Sequence, residues 1–378
     1  VNAIVFVHLV MFVPFVAIVG VRVLFSLYAL DLGAGAFEVG LLATAMQFIP
    51  MLLSYAAGLL QDRFGSRWLL MFGALAGGVG TLLPYFFPSL PALYAGAVLY
   101  GIWSVLVLVL TQALVGMLSR PDTLARNFSH YTILAWGTQI CGPLLAGYAI
   151  DSVGHANACL AILPAAVLSV VMLAVWGALL PQGARRSGPT FKVREVFGNR
   201  VILRVLAVSG AVQLAMELFP FFLPLFGHAL ALSATTIGWL MATAAAAAMV
   251  LCVALPRLVE RHGEERLLVW SFALSSFAFA LMPAFSTPVL LGVVCAVFGI
   301  GMGAGQPLST MLMFKRSPPG QAGAAMGLRV MSNSAIRVVG PPMLGLCAAT
   351  FGLASAPLVT AGVLAGAAWL LARGVRSR

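Results

Sequence analysis

Charge is what this chain lacks. Only 8% of its 378 residues are Asp, Glu, Lys or Arg, while 62% are hydrophobic; a soluble domain carries about 25% charged residues. That deficit excludes a water-solvated fold of this size, and a lipid bilayer is the solvent that fits. Lys is nearly missing, since nineteen of the 21 basic residues are Arg. The net charge of +11 would suggest nucleic acid in a soluble protein. Here the basic residues sit in short clusters between apolar runs, the pattern that orients membrane proteins, so nucleic acid is not an expected partner. Paired cysteines are lacking too. Cys141, Cys159, Cys252, Cys295 and Cys347 form no CxxC pair and all lie in apolar stretches, which argues against a disulfide framework or a zinc site. No phosphate-binding loop is present: Gly299 to Gly305 has the glycines but sits in an apolar span without a flanking strand. It reads as close helix packing, as does the alanine run Ala244 to Ala248. Neither enzyme activity nor a cofactor or metal is expected.

What is abundant is apolar length. A crossing needs about 20 apolar residues for roughly 30 Å of hydrocarbon, and twelve segments qualify: 4–30, 37–60, 67–87, 90–118, 124–150, 157–180, 200–227, 234–256, 266–285, 287–314, 321–350 and 353–372. Helices are expected throughout, because a crossing segment must pair its own backbone. The first, Ala3 to Leu30, is too long for a signal-peptide core and has no charged leader; Val1 is either a translated alternative start codon or a clipped end. Arg63 and Arg67 follow span 2, and Arg120 and Arg126 flank the loop after span 4. Arg185, Arg186, Lys192, Arg194 and Arg200 fill the connection after span 6. Arg257, Arg261 and Arg266 follow span 8, Lys315 and Arg316 follow span 10, and Arg373, Arg376 and Arg378 end the chain. Loops after odd-numbered spans hold no Lys or Arg. Basic loops stay cytoplasmic, so a multi-pass protein of the inner membrane with both termini inside is expected.

The chain repeats itself at an offset of 198 residues. Asp62-Arg63-Phe64-Gly65 lines up with Glu260-Arg261-His262-Gly263, Gly101 with Gly299, and Gly142-Pro143 and Gly147 with Gly340-Pro341 and Gly345. One offset serves every place without a gap. The expected organisation is an all-α membrane protein of two pseudo-symmetric six-helix bundles: residues 1–180, a polar cytoplasmic linker 181–199, and residues 200–378.

Gly58-Leu59-Leu60-Gln61-Asp62-Arg63-Phe64-Gly65-Ser66-Arg67 resembles the signature loop between spans 2 and 3 of the major facilitator superfamily, with Ser66 in place of one basic residue. Twelve spans, the basic central loop and the weaker copy at Glu260 to Gly263 extend the resemblance over the whole chain. It implies a gate, in which Asp62 sits against the start of span 11 near Gln321 to Gly323 and Glu260 sits near span 5. The physical basis is the attraction of a carboxylate to a helix N-terminus, about 0.3–1 kcal/mol when exposed. Gly58, Arg63, Gly65, Arg67, Arg261 and Gly263 complete the two loops. Gly142-Pro143 resembles part of the antiporter signature, although Ala146 stands where a second Gly is often found; Gly340-Pro341 is its copy, and both are expected to bend their helices. The Arg that drug-proton antiporters carry in span 4 is replaced by Ala97, and by Cys295 in the second half.

Ionisable residues inside spans are costly and mark function. Arg22 in span 1, Glu217 in span 7 and Arg337 in span 11 stand out. The resemblance places spans 1 and 7 on a central cavity, and a structural Arg22–Glu217 pair is the plainer reading of those two. Tyr28, Gln112, Gln139, Gln213, Gln306 and Asn333 are polar candidates, with Phe25, Trp103, Phe219 and Phe222 as aromatic ones. Two Arg, one Glu, amides and aromatics suit a small amphipathic or anionic organic molecule. The expectation is proton-coupled export by alternating access, driven by the proton gradient, in a protein that functions as a monomer. Export of lipophilic cations, import of an organic anion, and a receptor or scaffold without transport remain as alternatives.

Overall fold

The computed structural model describes residues 3–120, 123–180, 200–316 and 322–376. Among them every regular element is helical, as hydrocarbon demands of a backbone that has no water to bond. Eleven described stretches are long and apolar enough to cross a membrane. One of these, His130–Leu179, is 50 residues long and holds two crossings, because its helix turns at Gly154 (φ 80°, ψ 166°), a conformation essentially closed to residues with a Cβ. The twelve expected spans are therefore present.

Spans 1 to 4 are Ala3–Asp31, Ala36–Phe64, Ser66–Phe86 and Leu90–Leu118. Spans 5 and 6 share Leu124–Trp176; spans 7 to 9 are Arg200–Ala229, Ala234–His262 and Glu264–Leu281. Span 10 departs from expectation. It is not one helix but two, Pro288–Gly303 and Gly305–Arg316, interrupted at Ala304. Spans 11 and 12 are Ala322–Phe351 and Ser355–Arg376. Pro143 and Pro341 lie within their helices, and hydroxyls are satisfied locally: Thr111 bonds the Val107 carbonyl and Thr360 that of Ala356.

The chain forms two compact units, Val1–Ser187 with Gly227–Ala242, and Gly188–Phe226 with Thr243–Arg378. In the first, span 1 packs on the helix shared by spans 5 and 6, with Gly20 against Gly142, span 2 packs on span 4, and span 3 packs on span 4 and on the shared helix, with Gly78 against Leu163 and Ala166; in the second, span 9 packs on spans 10 and 12. The linker 181–199 lies outside the described residues.

The 198-residue repeat is written into the backbone. The described residues with positive φ are Gly33, Gly65, Gly154, Ala231, Gly263 and Gly352. They form three pairs 198 apart: 33 with 231, 65 with 263, 154 with 352. Packing repeats as well. Gly101 lies against the Met46 backbone and Gly299 against that of Ala244; Gly142 meets Val16 and Gly340 meets Leu214. Each contact maps onto its partner by the same offset. The glycine run of span 10 thus does what its composition suggests, since Gly301 and Gly303 approach Ser275 and Ala248.

One contact in the first unit crosses the repeat boundary. Asp151, at the end of span 5, accepts from the backbone N–H groups of Ala234 at 3.0 Å and Thr235 at 2.7 Å. These are first-turn donors of span 8 that no carbonyl of the same helix can reach. Gly147 abuts the Ala234 backbone and Gly238 that of Pro143, so spans 5 and 8 touch main chain to main chain below the carboxylate.

Two stability changes follow. Ala231, at φ 54°, is the one described member of the positive-φ pairs that carries a Cβ. Ala231→Gly should raise the melting temperature in detergent, by about 1 kcal/mol of stability or less. Asp151→Ala should lower it by an amount typical of a lost helix cap, about 1 kcal/mol, as read by a fluorescence melt of the purified protein.

Candidate functional site

Span 7 carries Ser209, Gln213 and Glu217 four residues apart, and span 11 carries Arg329, Asn333 and Arg337 at the same spacing. Residues four apart share a helix face, so each helix presents a polar ladder in an apolar surround. Within the second unit the ladders meet. Ser209 Oγ donates to Asn333 Oδ1 at 3.2 Å, and Arg337 Nε lies 3.4 Å from Glu217 Oε1. Contacts that advance in the same order along both helices mean that spans 7 and 11 run parallel here.

Span 10 supplies the middle rung. Gln306 Nε2 donates to Gln213 Oε1 at 2.9 Å, and Gln306 Oε1 accepts from Arg329 Nη2 at 2.7 Å. Gln213 Nε2 in turn donates to Glu217 Oε1 at 2.9 Å. A chain of hydrogen bonds therefore runs Arg329 to Gln306 to Gln213 to Glu217, every donor pointing from cation toward anion. Arg329 Nη2 also donates to Ser309 Oγ at 3.1 Å. Glu217 and Arg329 are 5% and 6% exposed, whereas the Arg337 side chain is 38% exposed.

The interruption of span 10 makes this rung possible. Gly305 faces the Val212 side chain so closely that a Cβ would meet it at 3.0 Å; these two residues immediately precede Gln306 and Gln213. Broken helices in membranes occur where polar groups can take up the released backbone bonds. Beside the network, Phe219 stacks on Phe298 with centroids 4.3 Å apart, and Phe279 meets Phe298 edge-on at 5.0 Å. The site thus combines two guanidiniums, one carboxylate and three side-chain amides, with a packed aromatic cluster alongside.

Of the residues singled out in sequence, Glu217, Arg337, Gln213, Gln306 and Asn333 come together in this unit. Arg22, Tyr28, Gln112 and Gln139 belong to the first. There Ser26 Oγ donates to the Arg22 carbonyl, and the Tyr28 hydroxyl donates to the Pro84 carbonyl at 3.2 Å while its ring stacks on His155. Gln139 is exposed, and so is Gln112, next to Thr111 whose hydroxyl contacts that of Tyr131 at 3.1 Å. Glu217 has an ion-pair partner in its own unit, Arg337. Trp103 is a packing residue, laid against Gly77 of span 3.

The loops expected to gate are partly visible. Gly65 (φ 76°) and Gly263 (φ 77°) make the same turn, Gln61 Nε2 donates to Ser66 Oγ at 2.8 Å, and Arg67 Nη2 donates to the Ala174 carbonyl at 2.7 Å. Arg63 lies over the Phe64 ring, and Glu260 and Arg261 are exposed. The surroundings of Gly58, the Asp62 side chain and residues 317–321 lie outside what is described, and with them the expected contact of Asp62 with span 11.

Arg329 escaped the sequence reading. Two signals pointed to it: its four-residue spacing to Asn333 and Arg337, and its register with Tyr131, 198 residues earlier. Tyr131 contacts Thr111 as Arg329 contacts Ser309, and positions 111 and 309 are themselves 198 apart.

Comparison with known proteins agrees with this architecture. The model of the Major Facilitator Superfamily matches residues 7–341 and again 205–378, the second match starting 198 residues after the first. Among curated proteins, the chain is 26% identical over 303 residues to "Multidrug resistance protein MdtH" of Aeromonas hydrophila, covering 79% of this chain and 75% of that one. It is 24% identical over 333 residues to the protein of the same name from Photorhabdus laumondii, covering 85% and 81%. Among solved structures, the nucleoside transporter NupG superposes with a TM-score of 0.76 at 14% identity, covering 99% of both chains. A POT family transporter in complex with a thioalcohol-conjugated peptide gives 0.83 at 10% identity, covering 99% of this chain and 96% of that one.

Breaking the ion pair from either side leaves a charge without its partner in a low-dielectric site. Glu217→Gln and Arg337→Gln should each lower the melting temperature, and the double substitution should recover part of the loss. The double-mutant cycle should give a coupling of about 0.5–3 kcal/mol.

Proposed function

From the premise that the chain belongs to the Major Facilitator Superfamily and is a secondary transporter, we propose that it exports small amphipathic organic molecules in exchange for protons, by alternating access. The observation that carries the reading is the ion pair of buried Glu217 with Arg337 beside the interrupted span 10. A carboxylate in hydrocarbon is costly and marks an ion or proton path, and its pairing with a half-exposed Arg gives it two states. Ionised, it holds Arg337; protonated, it releases it. A carrier needs such an alternation if proton binding is to bias which side opens.

Export, rather than uptake, is supported by the likeness to proteins named for multidrug resistance and by Gly142-Pro143 in span 5. The protein acts as a monomer in the inner membrane, with its basic loops, both termini and the linker 181–199 on the cytoplasmic side. The start of span 11 is closed by Asp62 in this reading, and Asp62→Asn should leave insertion intact while lowering transport.

Two measurements test the proposal. Proteoliposomes with an acidic lumen should accumulate ethidium or 1-naphthoate, and nigericin should collapse the accumulation; flux of both that ignores the pH gradient would remove proton coupling. For orientation, Ser187→Cys and Ser286→Cys in a cysteine-free background should label from opposite sides of the membrane. Labelling of Ser187→Cys by an impermeant reagent in intact cells would reverse the topology.

A further inference from the structure

The polar cluster of the second unit holds two cations and one carboxylate: Arg329 and Glu217 are buried, and Arg337 is partly exposed. Glu217 has Arg337 at 3.4 Å. Arg329, at 6% exposure, has no carboxylate partner among the described residues; its Nη2 donates only to neutral acceptors, Gln306 Oε1 at 2.7 Å and Ser309 Oγ at 3.1 Å. Its Nε is buried with no acceptor among the described residues. A buried guanidinium held by neutral oxygens is an unfinished arrangement: removing a charge from water costs several kcal/mol, and dipoles of two side chains recover only part of that. Its nearest charged neighbour on the same helix face is Arg337, which repels it. Net positive charge in such a place is relieved by an anion.

We infer that Arg329 is the anchor for a negatively charged group on the substrate, a carboxylate, sulfonate or phosphate monoester, while Arg337 serves Glu217. The inference rests on the transport reading above only in that a substrate exists, and it sharpens that reading by assigning the substrate's charge. The two cations then have separate tasks. An anion on Arg329 leaves the Glu217–Arg337 pair in place for the proton to act on. The planar guanidinium offers five donors in a fixed fork, which suits two-point binding of a carboxylate; two are accounted for by Gln306 and Ser309. Both acceptors lie in the helix that begins after Ala304, not on span 11 with Arg329.

The test compares three probes of one shape: 1-naphthoate, the neutral 1-naphthalenemethanol and the cationic 1-naphthylmethylammonium, bound to the purified full-length protein and read by calorimetry. The wild type should prefer naphthoate over the alcohol by about tenfold or more, the scale of one charge-assisted contact. Arg329→Gln should erase that preference while leaving affinity for the alcohol within about twofold, since the apolar contacts are untouched. Arg329→Lys should keep a reduced preference, because the ammonium retains the charge but loses the fork. No preference in the wild type, a preference that survives in Arg329→Gln, or an equal loss of both ligands would overturn the inference. If Arg329→Gln does not fold, the Lys variant decides: an undiminished preference there counts against it. Because binding is measured without a gradient, a failure of proton coupling leaves this result standing, and a failure here leaves proton-driven flux unaffected.

Discussion

A charge inside hydrocarbon has to be answered by another charge or by a network of dipoles, and the second unit is organised around that requirement. Glu217 is answered by Arg337 and by the Gln213 amide; Arg329 is answered by Gln306 and Ser309. To bring Gln306 into that network, span 10 gives up helical continuity at Ala304, and Gly305 gives up its side chain so that span 7 can come close. The interruption, the Gly305–Val212 approach and the polar ladders of spans 7, 10 and 11 thus lie together in one region of the unit.

The repeat shows how one framework takes on two chemistries. The contact between spans 4 and 5 through Thr111 and Tyr131 and that between spans 10 and 11 through Ser309 and Arg329 occupy equivalent positions, each at 3.1 Å. Glu217 and Gln213 correspond to Val19 and Phe15, Gln306 to Leu108, and Arg337 to Gln139. The scaffold hydrogen bond is common to both halves; at these positions the charges belong to the second alone. Packing trades places in the same manner. Gly77 accommodates Trp103 in the first half, while Ser275 meets Gly301 in the second, so the small and large partners sit on opposite helices of equivalent pairs.

Much of this was legible in the sequence, and what was not has identifiable reasons. Span positions follow from apolar length alone, and the 198-residue register, read from a few Gly-Pro and acid-Arg-x-Gly matches, reappears as three pairs of positive-φ residues. Glu217 and Arg337 were found because an isolated ionisable residue in an apolar run is conspicuous. Arg329 was not, since it lies near the end of its span, where an Arg resembles one more basic loop residue; its ladder spacing was the better guide. The break at Ala304 was beyond sequence reasoning, because a run such as Gly299 to Gly305 is equally compatible with a tightly packed continuous helix. Asp151 also passed unnoticed: an acid in a short loop gives no sign that its partners are backbone donors 83 residues away.

The central claim is that Glu217 carries the coupling proton, and one substitution separates that role from a merely structural one. In proteoliposomes containing Glu217→Gln, accumulation driven by a pH gradient should be abolished, while exchange of labelled for unlabelled substrate at equal pH on both sides should continue at a rate comparable to wild type. Accumulation that persists in Glu217→Gln would contradict the account and move the proton to another group; loss of exchange together with accumulation would make the carboxylate structural.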